Sequence, residues 1–187
     1  MGLIWKKRKL EVGMLILVAI EDELKRSNLP NYQIEYIGVG KVNAVFNTLN
    51  AIQKHSPQQI INFGTAGSID TKIKGLVEAS RFFQRDMDAS PLGFELGQTP
   101  FEEDIEITFG REGVTCGTGD EFVTSTPKLK TDIVDMEAFA IAKACKLKIL
   151  TLGALNTFQI MQIRKQRMTG LIMFHLAPSY SLRKSVV

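Results

Sequence analysis

Carboxylates stand at two points of this sequence where an apolar element begins or ends. Asp135 and Glu137 flank Met136 at the mouth of the apolar run "IVDMEAFAIAKAC", Ile133 to Cys145. Glu21, Asp22 and Glu23 follow directly on "MLILVAI", Met14 to Ile20. Carboxylates so placed can accept a proton or bind a ligand's donors. They can equally do no more than face the positive end of a helix. The glycine-rich pieces "GVGK" and "GTAG" (Gly64 to Gly67) let backbone N–H groups come close to a ligand, though a tight turn explains each as well. "GVGKVNA" is no Walker loop, because Glu35 stands at the first Gly position and Val42 replaces the Ser/Thr. No Ser-His-Asp or Cys-His arrangement supports nucleophilic catalysis. His55 and His175 lack metal-site spacing and companions, so no metal is expected.

The elements that would carry these residues alternate. "MLILVAI" is a continuous apolar run, as a strand covered on both faces requires. "YQIEYIGVG" alternates and ends in glycine, and Val42, Val45, Phe46, Leu49 and Ile52 then recur at helical spacing. "QIINFGTAGSI" predicts a buried strand running into a Gly-rich turn, while "GLVEASRFF" and "VTCGTG" predict two further strands. Met136, Phe139, Ala140, Ala144 and Leu147 mark a second helix. Such alternation is that of an α/β domain with a parallel or mixed sheet. Ligands in these sheets sit at the carboxyl ends of strands, where the acids, "GVGK", "GTAG" and "TGDEF" fall.

With 187 residues, 44% of them hydrophobic and 23% charged, the chain is long enough for one well-buried domain. No run approaches the roughly 18 apolar residues of a membrane span. Cys116 and Cys145 are far apart, and reduced thiols of a cytoplasmic protein are expected. The net charge of +3 conceals an asymmetry: from Ala138 onward there is no acid and the charge is +8, leaving −5 for the first 137 residues. A basic end of this kind can be a nucleic-acid tail, or a stretch never selected as protein.

Taken in order, "ILVAIEDEL", "GVGKVNA", "IINFGTAGSI", "QRDMDASPLGFELGQTPFE", "TGDEFV" and "VDMEAFAIA" resemble the 5′-methylthioadenosine/S-adenosylhomocysteine nucleosidases of the purine nucleoside phosphorylase superfamily, over about Met14 to Lys148. The resemblance implies a three-layer α/β domain of the nucleoside phosphorylase type with a central mixed sheet. It also implies a nucleoside substrate, no cofactor, and a homodimer with neither membrane nor nucleic acid as partner. Carried over residue by residue, it makes Glu23 the carboxylate that activates the attacking water. Glu137 becomes the ribose-binding carboxylate, with Met136 and Val39 packing on the sugar. Thr65, Ala66 and Gly67 line the ribose and water, and Phe122 and Val123 meet the purine. Asp135 has no assigned role in this scheme, and a solvated acid at a helix start serves equally.

The implied chemistry suits these residue types. Breaking an N-glycosidic bond builds positive charge on the sugar, which a carboxylate beside the ribose stabilises. Water then needs a general base. The departing adenine needs a proton, which the resembled family takes from an Asp in "ISDxAD" after the "VDMEA" helix. No phosphate-binding arginine stands near the first Gly-rich turn, which favours hydrolysis over phosphorolysis. Another purine nucleosidase or phosphorylase of the superfamily, and a non-catalytic nucleoside-binding remnant, are the competing readings.

This chain has no "ISDxAD". "TLGALNTFQIMQIRKQRMTGLIM" follows Leu150 instead, without an acid. Back-translated from the last base of the Asn156 codon, Asn156 to Ile163 permits Tyr-Ile-Ser-Asp-Asn-Ala-Asp, with the Ala forced by the single codon of Met161. The expectation is a coding frame shifted near Leu150, a domain over 14–150, and an aberrant basic tail over 151–187 that leaves the chain impaired. Leu150 to Leu155 is expected to pair as a strand, and Asn156 to Val187 to be irregular. Residues 1–13 are read as a non-native extension, since codons for Leu10 to Gly13 can place a ribosome-binding GGAGG just before Met14.

Overall fold

Strand β1, Met14–Val18, has no polar side to show, and all five of its residues are buried. Leu15 and Leu17 enter one apolar cluster with the two long helices. Met14, Ile16 and Val18 enter another, with Ile34, Ile61 and Phe63, closed over by Leu24, Leu29, Tyr32 and Tyr36. The computed structural model describes residues 13–68, 73, 75–109, 113–152 and 157–164. Residues 1–12 and 165–187, on which the expected extension and most of the basic tail fall, lie outside the described residues.

After β1 come β2 (Gln33–Tyr36), α1 (Lys41–His55), β3 (Gln59–Ser68), β4 (Leu76–Gln84), β5 (Glu106–Thr108), β6 (Val114–Thr118), β7 (Ile133–Asp135), α2 (Ala138–Leu152) and β8 (Thr157–Arg164). The eight described strands form one mixed sheet. β1 lies parallel between β2 and β3. β3 pairs in parallel with β8, and β8 antiparallel with β4. β4 runs parallel to β6, β6 parallel to β7, and β7 returns antiparallel to the last residues of β3. Five strands thus close into a ring, with β5 attached outside at β4. No helix among the described residues is long and apolar enough to cross a membrane.

Three expectations change. "GTAG" is not a turn: Gly64 to Gly67 remain inside β3, because Gly67 and Ser68 pair with Val134 and Ile133 of β7. Of the expected strand Leu150 to Leu155, the described residues Leu150 to Leu152 belong instead to α2. The strand lies further on, over Thr157–Arg164, inserted between β3 and β4 where irregular chain was expected. Its place follows from two flanking edges in need of partners, not from any alternation of its own. In α1 the buried residues are Ala44, Thr48, Ala51 and Ile52, whereas Val42 and Phe46 of the apolar stripe are 76% and 63% exposed. Small side chains let this helix lie close to its neighbours, leaving the larger apolar groups facing outward.

Candidate functional site

Glu23 reaches the end of β3 from a turn closed by its own amide, which donates to the carbonyl of Ile20 at 3.1 Å. Its Oε1 accepts from both the amide (2.9 Å) and the hydroxyl (2.7 Å) of Thr65. Oε2 is buried and, among the described residues, has no partner within hydrogen-bond geometry, although the backbone amides of Ile20 and Ala19 lie close enough to the carboxylate to lower its pKa. Gly64 lies against this oxygen, and a Cβ there would sit in ordinary van der Waals contact with it at 3.5 Å. Burial raises the Glu23 pKa above the ordinary carboxylate range, against the lowering effect of the Thr65 bonds. One oxygen is fixed and the other remains able to accept a proton from a donor such as water.

Across the site, Glu137 is half-buried, and its Oε1 accepts from the amide of Gly40 at 2.9 Å. Burial first, then the negative charges of Asp135 and Glu23, push its pKa from 4.5 up to about 7. Glu23 is near enough to Glu137 for its charge to contribute to this rise. Met136, beside Glu137, is half-buried as well.

Asp135 answers differently from the expectation of a solvated helix-start acid. It is buried, and it accepts from the Thr118 hydroxyl (2.6 Å), the Ala138 amide (2.7 Å) and the Cys116 thiol (3.4 Å). Burial raises its pKa against those bonds. The Thr118 hydroxyl in turn accepts from the amide of Phe139 at 2.8 Å. Asp135 and Thr118 therefore satisfy two free N–H groups at the start of α2.

Of the other residues singled out, Ala66 is buried in the helix-side core, so only its backbone is available to a ligand. Gly67 is exposed at the end of β3. Val39 is 45% and Phe122 73% exposed, while Val123 is half-buried. Phe122 and Val123 belong to the loop after β6, which is tied to the turn before α1 by the bond from the Lys41 amide to Asp120 Oδ1 (2.8 Å).

Sequence reasoning passed over the residues that make this tie. Lys41 Nζ stands 2.5 Å from Asp86 Oδ1 and 3.6 Å from Asp120 Oδ2. Asp86 Oδ2 accepts from the Asp120 amide at 2.9 Å. Buried Arg85 donates through Nη2 to the carbonyls of Gly119 (3.3 Å) and Glu121. A signal existed: Lys41, Asp86 and Asp120 each fall just past a strand's carboxyl end, inside motifs quoted for other residues.

Comparison with known proteins bears on the family and the fold. The Phosphorylase superfamily model matches residues 31–155. A 5′-methylthioadenosine/S-adenosylhomocysteine nucleosidase of Staphylococcus haemolyticus is 32% identical over 134 residues, covering 58% of this chain and 59% of that protein. One from Shewanella piezotolerans is 32% identical over 136 residues, with the same coverage. The chain therefore spans about 59% of the length of these curated relatives. The crystal structure of the Campylobacter jejuni nucleosidase of that name superposes with a TM-score of 0.71 at 20% identity, over 88% of this chain and 90% of that one. Futalosine hydrolase of Helicobacter pylori gives 0.69 at 20% identity, over 82% and 87%. At these identities the structures speak to the fold, which is the expected nucleoside phosphorylase type with a mixed sheet. With sequence model and fold in agreement, the chain belongs to the phosphorylase superfamily.

Proposed function

We propose that this site is built to hydrolyse the N-glycosidic bond of 5′-methylthioadenosine or S-adenosylhomocysteine, and that the chain as it stands binds the nucleoside better than it turns it over. The observation that carries this reading is the unequal treatment of the two Glu23 oxygens, one held twice by Thr65 and one buried without a hydrogen-bond partner among the described residues. Oε2 accepts a proton from water as the water oxygen attacks the anomeric carbon. Glu137, steadied by the Gly40 amide, accepts hydrogen bonds from the ribose hydroxyls and stabilises the positive charge that develops on the sugar. Met136 and Val39 pack on the sugar, Thr65, Ala66 and Gly67 line it, and Phe122 and Val123 meet the purine.

The bond pair leaves with the purine, whose five-membered ring must gain a proton. Strand β8 is in register with the end of β3, Ile163 beside Thr65 and Arg164 beside Ala66, yet Thr157–Arg164 contains no acid. A frame shifted near Leu150 would account for that, because the codons possible for this stretch permit Ser-Asp-Asn-Ala-Asp in the alternative frame. The same lack favours a second reading, a remnant that holds nucleosides without turnover. Calorimetric titration of the purified chain with 5′-methylthioadenosine, with adenine release followed with and without phosphate, tests both. Saturable binding with slow, phosphate-independent release is expected. Absence of binding would sink the assignment, and phosphate-dependent release would make the chain a phosphorylase.

Exposed Val42 and Phe46 at the start of α1 support a homodimer. Light scattering should give twice the chain mass, and Phe46→Asp should return it to one. Cys116 and Cys145 are both buried thiols, which suits a reducing cytoplasm.

A further inference from the structure

The proposed reaction uses Glu137 and the loop bearing Phe122, but neither is held by its own element alone. Gly40, whose amide holds Glu137, is followed directly by Lys41. The Lys41 amide has no acceptor within α1, whose first turn holds no acid and whose N-cap, Gly40, offers no side chain. Asp120, 79 residues later, accepts from it at 2.8 Å. The Lys41 ammonium then bridges back to Asp86, and both side chains of that pair are only 17% exposed. Asp86 completes the circuit by accepting from the Asp120 amide at 2.9 Å.

The backbone around this circuit is shaped for it. Gly40 has φ +87°, and a Cβ there would come within 3.1 Å of Asp120 Oδ1. A Cβ on Gly119 would fall 2.8 Å from the Arg85 guanidinium carbon and 3.0 Å from the Asp86 carboxyl carbon. Both glycines permit approaches that any side chain would block. The Asp86 carboxyl lies below the usual range: burial alone would raise it, but the Lys41 ammonium and the Asp120 amide outweigh that.

We propose that Asp86, Lys41 and Asp120 are positioning residues forming a clasp that sets the purine-side loop and the ribose-binding Glu137 as one unit. The clasp rests on the nucleoside reading for its purpose but not for its existence. Loosening it should spoil two subsites at once, although none of its three side chains needs to touch the ligand.

The test uses Asp120→Ala, Asp120→Asn and Lys41→Met in the full chain. Asp120 is 46% exposed in its side chain, so its replacement should leave the core folded. Hydrogen exchange at single amides is read first. Asp120→Ala should speed exchange at Gly40, whose amide bonds Glu137 and not Asp120, and along the loop around Phe122, with β1 and β3 unchanged. Lys41→Met should do the same. Asp120→Asn, which keeps an acceptor for the Lys41 amide, should restore protection at Gly40. Affinity for 5′-methylthioadenosine should fall on the order of tenfold in Asp120→Ala, the size of one charge-assisted hydrogen bond, and recover largely in Asp120→Asn. Adenine, which lacks the ribose, should lose less. A change confined to the Lys41 amide, or no rescue by Asn, overturns the clasp. If the parent binds no nucleoside the functional reading fails, while the exchange pattern at Gly40 still decides the clasp.

Discussion

The two ends of the site hold their carboxylates in opposite ways. At the β3 end, Thr65 gives Glu23 two donors on one oxygen, and the other has no hydrogen-bond partner among the described residues. At the β7 end, Asp135 accepts from three donors, while Glu137, two residues on, accepts from the Gly40 amide and has two negative neighbours. Burial is common to all three acids, so burial alone does not mark a functional group. Distribution of donors does: three donors make Asp135 a structural cap, and fewer leave Glu23 and Glu137 with capacity to spare for a ligand.

The strongest challenge to that contrast is Glu23→Gln in a frame-restored protein. Turnover should drop about 10²–10⁴-fold, the usual worth of general base catalysis, while nucleoside affinity stays within about twofold. A comparable loss of affinity would show that Glu23 binds ligand rather than activating water. Asp135→Ala should instead damage folding, by about 2–4 kcal/mol in denaturant unfolding, because it strips a helix start of its cap and leaves the buried Thr118 hydroxyl short of a partner. If Asp135→Ala kept full stability and lost only turnover, the contrast drawn here would be reversed.

Glu137 gives a test in pH. Its folded carboxyl keeps a proton up to about 7, whereas an unfolded one releases it near 4.5. The folded state therefore binds the proton more tightly, and this contribution to stability is complete below pH 4.5 and lost as the pH rises through 7. Glu137→Gln has nothing to titrate. Relative to the parent it should gain stability between pH 4.5 and 8, by at most about 3 kcal/mol, while nucleoside binding weakens by about 1.5–3 kcal/mol. A parent and variant with parallel stability profiles would show that Glu137 is not held protonated. Smallest of all, Thr65→Val removes one of the two donors to Glu23 and should cost about 1 kcal/mol in transition-state stabilisation, read in kcat.

What was legible in the sequence was local. The apolar runs of β1 and β3 gave their burial away, and Glu23, Thr65 and Glu137 could be named from motifs at strand ends. Helix α1 was visible by its period, but the stripe mixed buried Ile52 with outward Val42 and Phe46, since Ala44, Thr48 and Ala51 are too small to dominate a hydrophobic pattern. β8 was hidden because its place comes from the edges of β3 and β4, and strand preference of this kind is set by neighbours more than by the segment itself. "GTAG" misled for a related reason, as pairing with β7 extends β3 through glycines that would locally suggest a turn. Lys41, Asp86 and Asp120 lie 45 and 34 residues apart along the chain, and only the closed sheet brings them together.

That closed sheet has a consequence in time. The ring of β3, β8, β4, β6 and β7 is joined last by the strand made last, since Thr157–Arg164 follows every other member in the chain. A nascent chain that has emerged only as far as Leu152 holds β3 and β4 with their facing edges unpaired. Contacts of such long sequence separation form late and slowly. During synthesis those two edges are open to each other's wrong registers and to other chains. The eight residues of β8 thus act as a closing seam, and the speed with which they reach the gap governs how much of the newly made protein escapes aggregation.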